Sequence, residues 1–167
     1  MGVWISPVYL ENLILNWVNR SQGRSMEFTA FDKFISLWIA FNAWVTYKSN
    51  SDRDIDMIEW VKKKSELPNM FKNLIESNKV FVSDLQSLKA KCPVIDMRPR
   101  RKAKKKSIND IKNFNEVIDV IYQIRCNLFH GQKGADEQRD LELVDLAFRV
   151  LTEIFGRPIV EGGISYG

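Results

Sequence analysis

Histidine is almost missing from these 167 residues: His130 is the only one. Cysteine is scarce too, and Cys92 and Cys126 do not form a Cys-x-x-Cys pair. One imidazole and two separated thiols do not make a structural zinc site, so no metal and no cofactor is expected. The same scarcity speaks against a disulfide scaffold and makes a reducing compartment, the cytoplasm, the default. There is no glycine-rich phosphate loop, no internal repeat and no apolar/polar alternation long enough to build a sheet. The longest apolar-rich run, residues 34–45, is 12 residues long, too short to cross a bilayer, so no membrane partner is expected. Residues 1–19 have no basic n-region and carry Glu11 inside their apolar stretch, so they do not read as a secretory signal.

Large apolar side chains, in contrast, are plentiful. With 45% hydrophobic residues, five tryptophans and ten phenylalanines, the chain can fill a core without staples. The spacing of those residues is helical throughout. Ser6-Pro7 reads as an N-cap with proline in the first turn, and Val8, Leu10, Leu13, Ile14 and Trp17 recur at helical intervals to about Arg20. Residues 26–48 form the most apolar element, with Phe28, Phe31, Ile35, Trp38 and Val45 on one side and Phe34, Leu37, Phe41 and Trp44 on another. A helix apolar over most of its circumference belongs in the middle of a bundle. Shorter helices are expected at 54–64, from Pro68 to about 78, and at 82–91. A long one is expected at 108–129 behind Ser107 as N-cap, and a last one at 136–155, ended by Gly156 and Pro158. The expectation is therefore an all-α bundle forming one domain over 1–167, with its core in 26–155, a basic loop at 98–106 and a tail at 156–167.

Charge is distributed unevenly. Arg98, Arg100, Arg101, Lys102, Lys104, Lys105 and Lys106 are seven cations within nine residues, more than the whole net charge of +4, so the rest of the chain is net −3. Like charges and Pro99 oppose regular structure there, which predicts a mobile loop between helices. Such a run is either a solvated connector or a recruiting surface for a polyanion such as RNA, binding without sequence choice.

Two polar groups lie on apolar faces. On a wheel of 108–129, Phe114, Ile118, Ile121, Arg125 and Leu128 share an arc of roughly 80°. A guanidinium in that stripe keeps its charge, so it needs an anion, carbonyls or an opening in the packing. Asn42 falls on the Phe31, Ile35, Trp38 side of its helix, where an unpartnered amide would cost roughly 1–3 kcal/mol. Either it bonds to backbone inside the core, or it supports the region of Arg125 and His130. His130 follows Arg125 by five positions, about 140° around a continuous helix, so the two can cooperate only if the helix stops. Gly131 permits such a stop. A terminal imidazole near a guanidinium suits phosphoryl transfer without metal, the first moving protons and the second neutralising phosphate charge. The alternative is that His130 only caps a carbonyl.

The run Ile121-Tyr122-Gln123-Ile124-Arg125-Cys126-Asn127-Leu128-Phe129-His130-Gly131 resembles the signature of HEPN domains (higher eukaryotes and prokaryotes nucleotide-binding), whose hallmark is Arg, four to six residues, then His. Similarity extends to Leu37-Trp38-Ile39-Ala40-Phe41-Asn42-Ala43, Pro93-Val94-Ile95-Asp96-Met97-Arg98 and Asp140-Leu141-Glu142-Leu143-Val144-Asp145-Leu146-Ala147, familiar from bacterial members. The resemblance implies a helical bundle that forms a homodimer through its motif helices. In many members it also implies a metal-independent endoribonuclease of the toxin or anti-phage defence type, held by an antitoxin or another regulatory partner. Arg125 and His130 would then be catalytic, Asn127 and Asn42 auxiliary, and the seven cations of 98–106 RNA-binding. Other members are non-catalytic modules that bind RNA or nucleotide or mediate assembly, and that remains the alternative. Two departures stand out: Cys126 occupies a position that is commonly polar, and Gln132 stands where some toxins carry a tyrosine.

Replacing Lys102, Lys104, Lys105 and Lys106 by neutral residues is expected to leave the fold intact and to weaken RNA binding. Titrations over a range of salt should show the log–log slope flattened by up to ~3, and an unchanged affinity would reduce the run to a connector.

Overall fold

Two sets of packed aromatic rings organise the chain, each in its own compact unit of the computed structural model. Residues 6–22, 29–96, 104–129 and 138–166 are described, without the side chains of residues 9, 16, 17 and 20. One unit comprises the described residues up to Leu67 together with those from Leu151 onward; the other is Pro68–Val150. All-α architecture holds in both, and among the described residues the only strands form one short ladder. No helix of the described residues is long and apolar enough to cross a membrane.

In the first unit, α1 (Pro7–Ser21) buries Leu10, Ile14 and Val18, while Val8 is exposed, so the buried stripe starts two residues later than the sequence suggests. It packs along α2 (Ala30–Ser49). Thr29 and Asp32 form a capping box there, Thr29 Oγ1 accepting from Asp32 N at 3.3 Å and Asp32 Oδ2 accepting from Thr29 N at 2.9 Å. That box sets the helix start after the expected position 26. Asn50, left-handed at φ 53°, ends the helix.

Burial on α2 is lopsided. Phe34, Leu37, Phe41 and Trp44 are nearly inaccessible, whereas Phe31, Ile35 and Asn42 are only half-buried. Trp44 is the hub: its ring meets Trp60 of α3 (Asp54–Lys64) and Phe155, each at 5.5 Å, and its Nε1 donates to the Ser165 carbonyl at 2.9 Å. The bounds of α3 are those read from the sequence. Asp54 and Asp56 in its first turn and Lys62, Lys63 and Lys64 in its last complement the helix dipole.

Gly156 does not end the last long helix. Helix α7 (Gln138–Leu151) runs into a π-turn, Thr152–Gly156, and on into α8 (Arg157–Val160), with Pro158 in the first turn of α8. A Cβ at Gly156 would lie 3.0 Å from Leu37 Cδ1, so this glycine serves close helix packing rather than termination. The chain leaves helical geometry only at Gly162, where φ is +73°.

In the second unit, α4 (Leu67–Ser77), α5 (Lys79–Ala90) and α6 (Phe114–Phe129) meet through Phe71, which lies 5.6 Å from Phe81 and 5.4 Å from Phe114. Asn78 caps α5 by accepting from Phe81 N at 3.0 Å, which starts that helix before the expected residue 82. Helix α7 joins α5 through Arg149, 3.0 Å from Asp84. Helix α6 begins at Phe114, not behind Ser107. Asn113 Oδ1 accepts from Asn115 N and Glu116 N, and the Asn113 carbonyl accepts the first helical bond from Val117. Glu116 turns back to accept from Asn109 N at 2.8 Å, Asn109 Nδ2 at 2.9 Å and Asp110 N at 3.1 Å, which holds residues 109–110 in a turn.

Those bonds, the Asn109 side chain foremost, keep the Glu116 carboxyl below its ordinary range. A depressed carboxyl stabilises the fold above its unfolded pKa and loses that contribution as pH falls through the folded one. Glu116→Gln should therefore melt lower than wild type at pH 7. The gap should shrink when thermal melts are repeated below the usual carboxylate range.

Candidate functional site

The wheel of α6 predicts a stripe through Phe114, Ile118, Ile121, Arg125 and Leu128, and the structure grades that stripe. Phe114, Ile118 and Ile121 are buried, while Arg125 and Leu128 are half-buried and Phe129 is 50% exposed. The packing opens toward the C-terminal end of the helix, and Arg125 stands at the opening. Its guanidinium carbon lies 4.7 Å from the Phe129 ring centroid and 5.9 Å from that of Tyr122, four residues after it and three before it on the same face. Nη1 also reaches Cys126 Sγ at 4.0 Å. The two rings lean on the guanidinium and orient it.

Asn127 is 1% exposed and looks inward. Its Oδ1 accepts from Gln123 Nε2 at 3.0 Å and its Nδ2 donates to the Ile95 carbonyl at 2.8 Å. The role expected for it beside the reacting groups is thus occupied by structure: it ties α6 to a short hairpin. In that hairpin β1 (Val94–Ile95) pairs antiparallel with β2 (Lys105–Lys106), Val94 opposite Lys106 and Ile95 opposite Lys105, and Asp96 N donates to the Lys104 carbonyl at 2.8 Å. The end of the basic run is therefore paired strand rather than mobile loop. Backbone pairing overrides the like-charge argument because the Lys side chains leave the ladder on opposite faces.

Those faces differ in chemistry. Lys106 shares the side of buried Val94 and turns to Asp119 of α6 at 3.9 Å. Lys105 shares the outward side with Ile95, which is 43% exposed, and Lys104 is exposed beside them. The hairpin root is fixed from α7: Arg139 Nη2 donates to the carbonyls of Lys91 and Pro93, at 2.9 and 3.3 Å, and Lys91 pairs with Glu142. Arg98, Arg100, Arg101, Lys102, His130 and the turn expected at Gly131 lie outside the described residues.

Asn42 belongs to α2 of the first unit and is half-buried there. On the same side Trp38 and Val45 are buried and Phe31 and Ile35 half-buried, so that face is closed in part. Cys92 donates to the Leu88 carbonyl at 3.4 Å, and burial pushes its thiol above the ordinary range, so it is no ready nucleophile. Among the described residues no three His, Cys, Asp or Glu side chains are grouped as metal ligands. A cleft of about 270 Å³ in the first unit is lined by Trp60, Glu59, Lys63 and neighbours, and none of the expected site residues line it. Tyr122 and Phe129 were not singled out from the sequence; their i−3 and i+4 spacing from Arg125 was the available signal.

Asn127→Ala would leave the Ile95 carbonyl and the Gln123 amide without this partner, at a cost of about 1–3 kcal/mol, read as a lowered urea midpoint. No family profile, no curated protein and no solved structure matches this chain.

Proposed function

We propose that this chain is a metal-independent endoribonuclease of the HEPN type, acting in the cytoplasm in toxin or anti-phage defence. The observation that carries the proposal is Arg125: a charged guanidinium at the open end of a buried stripe, oriented by Tyr122 and Phe129. In this reaction the 2′-hydroxyl of a ribose attacks the adjacent phosphorus. The new O2′–P bond closes a 2′,3′-cyclic phosphate, the P–O5′ bond breaks, and the proton leaving O2′ is balanced by one delivered to O5′. Arg125 neutralises charge building on the phosphoryl oxygens, and His130, which follows Phe129 in the chain, moves protons. One imidazole serves one direction at a time, so a homodimer presenting two Arg125/His130 pairs in one cleft supplies base and acid together. The basic residues recruit the strand. An antitoxin or other regulatory partner keeps such an activity silent.

Purified protein with EDTA present should cleave RNA to ends carrying 2′,3′-cyclic phosphate and 5′-hydroxyl. His130→Ala and Arg125→Lys should each lower the rate by at least about 100-fold, with the mutants purified in parallel to control for contaminating nuclease. Cleavage by His130→Ala at the wild-type rate would sink the proposal. RNA or nucleotide binding with no cleavage of tRNA, mRNA or single strands would leave the non-catalytic module.

A further inference from the structure

We propose that Phe129 is a stacking platform for an unpaired base, which makes this surface selective for single-stranded RNA; the inference rests on the RNA reading above. Its ring is half exposed, whereas Phe34, Phe41, Phe71, Phe81 and Phe155 are all at 2% or less and Phe31 and Phe148 are half-buried. The ring is also held: the Arg125 guanidinium stands 4.7 Å from its centroid. A ring fixed in this way loses little further rotamer freedom when a base settles on it.

Its surroundings match one class of ligand. The Asn127 bond to the Ile95 carbonyl joins the end of α6 to the hairpin, whose outward face carries Ile95 and Lys105. Phe129 and the Arg125 cation beside it thus stand at the end of a helix that the hairpin braces. A single strand offers unstacked π-faces alternating with phosphates, and a duplex keeps those faces inside its own stack.

The test uses short 2′-O-methyl oligonucleotides, single-stranded and duplex, with EDTA present, so that binding is read without cleavage. Phe129→Leu should weaken single-strand binding about tenfold while leaving duplex affinity and the salt slope unchanged. Phe129→Tyr should restore it, and circular dichroism should show the same helix content in all three proteins. Photocrosslinking with a 5-iodouridine strand should place the adduct on Phe129. Wild-type affinity in Phe129→Leu, equal loss for strand and duplex, a crosslink elsewhere, or a change of sedimentation alone would each overturn the inference. Cleavage that persists with Phe129-independent binding overturns stacking but not the nuclease; Phe129-dependent binding without cleavage overturns the nuclease but not stacking.

Discussion

A helix packed on nearly every side cannot also carry a charged guanidinium unless its packing opens somewhere, and α6 meets that constraint on one face only: Arg125 and Leu128 are half-buried and Phe129 exposed, while Cys126 and Asn127 on the other side stay buried. Val117, Ile118, Val120, Ile121 and Ile124 are sealed, and Arg125 emerges where the seal stops. The aromatic faces of Tyr122 and Phe129 orient that charge. Everything around this end follows from holding it still: Asn127 braces it against the hairpin, and Arg139 clamps the hairpin root.

The first unit solves a different problem, that of bringing a chain end back onto a helix already crowded with rings. Trp44 does this with one polar atom, since its Nε1 has a single proton to give and the Ser165 carbonyl takes it. Ser165 N in turn donates to Glu66 Oε1 at 3.4 Å, so the segment after α8 is held by hydrogen bonds as well as by the burial of Ile164. Gly156 is the steric counterpart, removing a side chain where Leu37 must pass.

Helix identity was legible wherever apolar periodicity and charge placement agreed, as in α3 with its acidic first turn and basic last turn. Boundaries failed where a short polar side chain competed for backbone. Ser107 looked like a cap, yet Asn113 and Glu116 jointly made a turn of 109–110 and moved the start of α6 to Phe114. Two β pairs are too short for any alternation to register, so the hairpin was invisible, and the cluster of lysines argued against it. At the site, the wheel placed Arg125 inside the apolar stripe, and the structure leaves it half-buried there. The wheel could not tell that Asn127 would turn inward, because an amide one position out of phase reads as surface until a carbonyl from a distant strand arrives to meet it. Asn42 lies on a face of α2 where Trp38 and Val45 are buried and Phe31 and Ile35 half-buried, a mixture that apolar periodicity does not resolve.

The 3.9 Å pairing of Lys106 with Asp119 also shapes the field that an approaching polyanion would meet. Asp119 sits on the same helix as Arg125, within a few turns of it, and a bare carboxylate there would repel phosphate over a screening distance of about 10 Å. Lys106 acts as a built-in counterion. One lysine of the basic run is spent on quieting the helix, and Lys104 and Lys105 keep their charge outward.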